Sequence, residues 1–414
     1  MTTSFYVGPD RPPLLVTSWA DLIAAAQAGA LAETQWVELK AALPPTAKPA
    51  NLELARDLAS LSADGGTLVI GVRDPGDAAE HATGTSDEIE SLKDRVAQIA
   101  TSSRIQPPLN VQLTVLSHPS EPGQHVLLVA VPASPEAPHM VDNHYWGRSA
   151  NGKRPLGNAE TSRLWSVRRG ARQDFEQRVR SRPEELDRLW PAVRQLGWAH
   201  VLVEPSAAPT TRRLDEDPVL PLQMVLGSAS FRSQWSPGLD SLRYGLSHPD
   251  GSAWTSFNLE SDTAEFIDQH GLYLLITDSG TVRLIAPSTR FYGSDRQRRC
   301  ISANYLMELM HQALELAARL GTDYLAYAGA WKVGIHLEGL AGHLPAQAFG
   351  NNFGFGATPF PIDRYTRTTT VRGDDLTGGT AAIVEAVLKD LARGLGLQAY
   401  LFPYNHPSEI RQKT

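Results

Sequence analysis

The sequence predicts an α+β protein with two domains joined by a basic helix. The chain has 414 residues, enough for two or three separate cores. Its apolar residues switch between i, i+4, i+7 stripes, which make one face of a helix, and alternating or short unbroken runs, which make strands. Between residues 164 and 182 the composition turns to arginine, with Arg168, Arg169, Arg172, Arg178, Arg180 and Arg182. The expected boundaries are 1–165 for the first domain, 166–182 for a basic linker helix and 183–414 for a second α+β domain.

The elements follow in order. SWADLIAAAQAG reads as a short helix that Ser18 caps, with Asp21 in its first turn and Gly29 as its stop. In ETQWVELK, strand alternation puts Trp36, Glu38 and Lys40 on one face and Val37 and Leu39 on the other. NLELARDLASLSADGG is a helix with Asn51 as its cap and Leu54, Leu58 and Leu61 on one stripe; Gly65 and Gly66 allow a sharp turn into the buried strand TLVIGV. Asp74 follows that strand, and Pro75-Gly76 turns the chain. Thr85 and Glu88 fit a capping box for a helix with Ile89, Leu92, Val96 and Ile99 on one face. VQLTVL and HVLLVAV flank a turn-rich segment and read as a hairpin, and HYWGR as one more short strand. Beyond the basic helix, AHVLVE, LYLLIT and TVRLIA are strands. The amphipathic helix SANYLMELMHQALELAARLG follows, then DYLAYAGAWKVGIHLEG, YTRTTTVRG and the helix TAAIVEAVLKDLARGLG.

Composition excludes several classes. The net charge of −7 gives no global pull toward nucleic acid. It hides an asymmetry: residues 1–140 carry 8 basic and 16 acidic side chains, whereas 141–182 carry 10 basic and 4 acidic. A single cysteine, Cys300, rules out an intrachain disulfide and a cysteine-rich zinc site, which fits a reducing cytoplasm. The N-terminal stretch has no basic run leading into an apolar core, as a secretory signal would, and no apolar run reaches the ~18 residues that span a bilayer.

Glu33, Glu38 and Asp74 are the acids that stand out. Hard divalent cations take oxygen ligands, and a cation held by carboxylates can stabilise charge on a phosphodiester and activate an attacking group. Glu33 lies five residues from Glu38 and reaches it only if the chain bends between them. Lys40 shares the face of Glu38 and is either a phosphate contact or an exposed ion-pair partner. Arg148, Lys153 and Arg154, followed by Arg168, Arg169 and Arg172, either line a nucleic-acid backbone or form a solvated helix; Tyr145 and Trp146 add stacking surface. The glycines precede the strand rather than follow it, so neither a phosphate loop nor a dinucleotide fingerprint is present. The histidines offer no metal pair at helical spacing, and there is no G-x-S-x-G elbow.

Taken together, ETQWVELK, ASLSADGGTLVIGVRD, Gly84 and HVLLVAVPASPEAPHMVDNHYWGRS resemble the Schlafen-type AlbA-like domain over about residues 31–165. The resemblance implies a metal-dependent endoribonuclease acting on structured RNA such as tRNA. Glu33, Glu38 and Asp74 would bind Mg²⁺ or Mn²⁺, and Lys40 would be the motif lysine. Leu39 stands where the family has phenylalanine, SADGG replaces its Ala-Asn-Thr-x-Gly-Gly, and one cysteine cannot build the zinc site of the animal proteins. Only one lobe is visible, so the resemblance implies a homodimer. It also suggests antiphage defence, with the C-terminal domain sensing a ligand or a foreign protein. A non-catalytic nucleic-acid-binding regulator and a scaffold or sensor stay open beside this reading.

Overall fold

The computed structural model describes residues 3–8, 14–73, 82–150, 152–181, 197–206, 238–258, 260–291, 298–325, 327, 329–349 and 357–404. Asp74, Pro75, Gly76 and Arg182 lie outside them. The chain divides into two compact units. One comprises Met1–Arg172, Ser206–Arg212 and Leu325–Ala330; the other comprises Gln173–Pro205, Arg213–Tyr324 and Trp331–Thr414. The α+β class expected from the sequence is the class observed. Among the described residues no helix is long and apolar enough to cross a membrane.

In the first unit, β1 (Thr3–Phe5) and β2 (Leu14–Val16) pair antiparallel ahead of α1 (Trp19–Gln27). Ser18 caps α1 as expected: its hydroxyl accepts the Asp21 N–H at 3.2 Å, and the Asp21 carboxylate accepts the Ser18 N–H at 2.9 Å. Then come β3 (Val37–Lys40), α2 (Lys48–Leu61), β4 (Gly66–Ile70), α3 (Ile89–Thr101), β5 (Gln112–Ser117) and β6 (His125–Val131). The sheet order is β3-β4-β6-β5. The β3–β4 pair, joined through α2, is parallel and the others are antiparallel. Two short antiparallel pairs, β7 (Met140–Val141) with β8 (His144–Ser149) and β8 with β9 (Gly152–Pro155), lead into α4 (Asn158–Arg180).

Side-chain alternation sorts this sheet into two cores. Val37, Leu39, Val69, Val126 and Leu128 join Phe5, Val16, Trp19 and Leu22 on the α1 side. Leu68, Ile70, Leu127 and Val129 meet Leu54, Leu58, Val96 and Ile99 on the α2–α3 side. With Val37 and Leu39 committed to α1, Glu38 and Lys40 must face α2.

Two helix starts differ from expectation. α2 begins at Lys48, ahead of Asn51, because Pro49 is favourable in a first turn, where its missing N–H is not needed. Asn51 instead accepts a hydrogen bond from Arg95 Nε at 2.9 Å. The capping box at Thr85 and Glu88 does not form: Thr85 bridges His125 through paired backbone hydrogen bonds, and Glu88 makes no side-chain cap.

The second unit is built on a seven-stranded, wholly antiparallel sheet. Its order is β11 (Tyr244–His248), β12 (Gly251–Thr255), β13 (Tyr273–Thr277), β14 (Val282–Pro287), β10 (Trp198–Pro205), β17 (Trp331–Leu337), β19 (Tyr365–Val371). A small sheet of β15 (Arg290–Phe291), β16 (Arg299–Ile301) and β18 (Leu344–Pro345) stands apart. α5 (Ala264–His270) is short; α6 (Ala303–Arg319) packs on β10 and β14 and against α7 (Gly373–Gly378) and α8 (Thr380–Gly394); α9 (Gln398–Leu401) follows. Phe175 and Val179 near the end of α4 pack on Leu202, beside Gly334, where a Cβ would lie 2.6 Å from Val179 Cγ2.

A Cβ on Gly66 would sit 2.5 Å from both the Trp36 carbonyl oxygen and Leu61 Cδ2. Gly66→Ala should therefore cost on the order of 2–3 kcal/mol in urea unfolding, because a backbone oxygen cannot step aside. His139 is fully buried, with Nδ1 2.6 Å from the Pro107 carbonyl and Nε2 2.7 Å from the Ser134 hydroxyl. Burial pushes its pKa down to about 4 from the ordinary 6.5. The unfolded chain thus takes up a proton that the folded protein refuses, so stability is complete above pH 6.5 and falls as pH drops toward 4. The contribution is about 3 kcal/mol, and His139→Gln should flatten the pH dependence of unfolding across that window.

Candidate functional site

β3 is an edge strand, and the groups it does not give to β4 are met by the residues just before it. The Thr34 N–H donates to the Val37 carbonyl at 3.0 Å, and the Val37 N–H donates to the Thr34 hydroxyl at 3.1 Å. The Leu39 N–H donates to Glu33 Oε1 at 3.2 Å. The chain therefore bends between Glu33 and Val37, and the Glu33 carboxylate returns beside the strand segment that carries Glu38 and Lys40.

Glu38 lies between two cations. Arg148 Nη2, from β8, is 2.7 Å from Oε2 and also donates to the Thr34 carbonyl at 3.2 Å, which ties the bend to the strand. Lys40 Nζ is 2.9 Å from Oε1. Lys40 also lies 3.0 Å from Asp57 Oδ2, on α2. Lys153, from β9, lies 2.5 Å from Asp57 Oδ1 and 2.7 Å from Glu53 Oε1. Arg56 continues the line at 3.4 Å from Glu53 and from Asp142, with its guanidinium 4.9 Å above the Trp146 ring. The result is an alternating chain of charges: Arg148, Glu38, Lys40, Asp57, Lys153, Glu53, Arg56, Asp142.

Its members titrate according to burial and neighbours. Burial alone would raise the Glu38 carboxyl, but the hydrogen bond and charge of Lys40, with those of Arg148, hold it below the usual range. Burial would lower Lys40, yet Asp57 and Glu38 push it up. Lys153 behaves the same way under Asp57 and Glu53. Asp57 is fully buried, and that burial pushes its carboxyl upward against the pull of Lys40 and Lys153.

The other basic residues divide by position. Arg154 pairs with Glu160 at 2.8 Å and is 41% exposed. Arg168 donates to the Glu136 carbonyl at 3.0 Å, and Arg169 is exposed on α4. Arg172 lies on the same helix, but its side chain is outside the described residues. Tyr145 meets the exposed Trp165 edge-on at 6.1 Å. Arg148 differs from all of these: it is 4% exposed, and its Nε and Nη1 are buried with no acceptor among the described residues.

Glu33, Glu38, Lys40, Arg148 and Lys153 are thus brought to one region, while Asp74 lies outside the described residues. Glu53, Arg56 and above all Asp57 were missed by sequence reasoning. A signal existed for Asp57: it lies three residues after Leu54 and four before Leu61, on the buried stripe, where a carboxylate needs partners. A hard divalent cation suits the donor chemistry of Glu33 and Glu38, because a carboxylate offers oxygen ligands with two lone pairs each. Among the described residues, however, no group of three histidine, cysteine or acidic side chains is arranged to hold a metal, so a third ligand would have to come from elsewhere.

Residues 33–157 match the family model described as Schlafen, AlbA_2. The protein carries a Schlafen AlbA_2 domain. The matched span opens on Glu33 and contains the whole alternating chain of charges. Such a domain points to nucleic-acid-related function and is compatible with nuclease activity. No curated protein matches the chain. Among solved structures, the DIP2311 protein from Corynebacterium diphtheriae is similar at 23% identity and a TM-score of 0.24, over 33% of this chain and 24% of that one. The match thus spans about a quarter of that protein's length.

The buried part of the charge chain should dominate its energetics. Removing one partner of a buried pair strands the other, so Asp57→Ala should cost about 3–5 kcal/mol in denaturant unfolding. Arg154→Ala, which breaks a solvent-exposed pair, should cost under about 1 kcal/mol.

Proposed function

We propose that the N-terminal unit is a divalent-metal-dependent endoribonuclease that cuts structured RNA such as tRNA. One observation carries the reading: the Glu33 and Glu38 carboxylates are drawn to the same short segment of an edge strand, beside Lys40 and a buried Arg148 with unused donors. This lies within a span that matches the Schlafen AlbA_2 family.

In this reading Glu33, Glu38 and Asp74 hold Mg²⁺ or Mn²⁺, which when bound would stabilise charge on the phosphodiester and activate the attacking oxygen. The protein's own groups do the rest. Lys40 is held by Asp57 and Glu38 in its charged form and meets the phosphate as a point charge. Arg148, buried beneath the segment, holds Glu38 and the Thr34 carbonyl in place. Arg154, Arg168 and Arg169 grip the RNA backbone through exposed guanidiniums, a contribution that salt should weaken.

A second reading, a nucleic-acid-binding regulator without catalysis, is favoured by the pairing of both Glu38 oxygens with cations. Purified protein incubated with tRNA and Mn²⁺ separates the two. The nuclease reading expects cutting that stops on chelation and falls at least a hundredfold in Glu38→Gln and in Asp74→Asn, with RNA retention preserved. Retention without cutting in every sample would instead establish the binder.

A further inference from the structure

The second unit holds a cleft of about 670 Å³ lined by Arg180, Trp198, His336, Glu338, Arg364 and Thr366. Four segments supply it: the end of α4, β10, the end of β17 and the start of β19. The antiparallel register sets His336 opposite Thr366 and, continued by two residues, Glu338 opposite Arg364.

The cleft has built-in order. Each Glu338 oxygen is anchored by one partner: Oε2 accepts the indole N–H of buried Trp198 at 2.7 Å, and Oε1 holds Arg364 Nε at 2.6 Å. Arg364 is otherwise 70% exposed. The pair uses its Nε, and among the described residues the four terminal N–H donors of the guanidinium stay available. Arg180 supplies a second exposed cation whose carboxylate neighbour, Glu176, is 4.0 Å away. His336 Nδ1 is 2.7 Å from the Thr366 hydroxyl, and burial keeps its pKa below the ordinary value. It is therefore a neutral ring at pH 7, with its second nitrogen able to donate or accept.

Two arginines lining one cleft suit a phosphate, whose several oxygens can use more donors than a lone carboxylate. A carboxylate with spare lone pairs and a neutral imidazole suit hydroxyl groups. The volume is that of a small-molecule site, roughly 300–1,000 Å³, and far more than a bare anion fills. We propose that this cleft binds a phosphorylated sugar of the ribose 5-phosphate class, either free or as a mononucleotide. The phosphate lies on Arg180 and Arg364, and the sugar hydroxyls lie on Glu338 and His336. The proposal is independent of the activity of the first unit.

Calorimetric titration of the full chain with AMP, ribose 5-phosphate, adenosine and inorganic phosphate tests it. Saturable binding of AMP or ribose 5-phosphate, at least tenfold tighter than adenosine or inorganic phosphate, is expected. Equal affinity for the first two identifies the sugar phosphate as the ligand, and tighter AMP binding adds the base; both outcomes support the site. Arg364→Ala and Arg180→Ala should each weaken binding at least tenfold. Arg180→Ala removes an exposed side chain and should leave the melting temperature unchanged, so lost binding there is not lost folding. Inorganic phosphate binding as tightly as the sugar phosphates, no binding by any of the four, or full affinity in both variants would overturn the proposal.

Discussion

The first unit depends on one buried carboxylate. Asp57 lies on the core side of α2, wholly removed from water, and among the described residues Lys40 and Lys153 are the cations that make that placement tolerable. The two lysines come from different elements, β3 and β9, so the helix, the edge strand and the β8–β9 hairpin must all be in place together. An ionised side chain left alone in such a position would cost several kcal/mol. The same requirement fixes the Lys40 ammonium and, through it, one oxygen of Glu38. Gly66 lets α2 and β4 approach closely enough behind this arrangement.

From that anchor the proposed chemistry acquires its geometry. Lys40 is held from both sides, and Arg148 ties Glu38 to the bend that brings Glu33 back to the strand. Groups held this way lose little freedom when they meet a substrate. The arrangement also neutralises itself: a cation that takes Glu38 as a ligand must share its oxygens with Lys40 and Arg148. In the proposed metal-bound state, affinity would be set by how readily those two side chains yield.

Much of this was legible in the sequence because local rules governed it. The Ser18 cap, the alternation in ETQWVELK, the glycine stop after α2 and the β5–β6 hairpin all follow from short-range stereochemistry. So does the placement of Glu38 and Lys40 on one face. What the sequence did not disclose depended on partners distant along the chain. Asn51 looked like a cap but serves Arg95, Thr85 looked like a cap but pairs with His125, and Asp57, not singled out at all, meets Lys153 from β9. The β11–β12 hairpin was overlooked because its strands are short and polar and its pairing with β13 is what stabilises it.

The central claim is that the Glu38 carboxylate, held by Lys40 and Arg148, is a ligand for a divalent cation. Equilibrium Mn²⁺ binding to the protein without RNA, followed by electron paramagnetic resonance, tests it most directly. The account predicts one saturable site in the wild-type protein that disappears in Glu38→Gln while the fold is kept. Identical Mn²⁺ binding in the two proteins, or none in either, would contradict it.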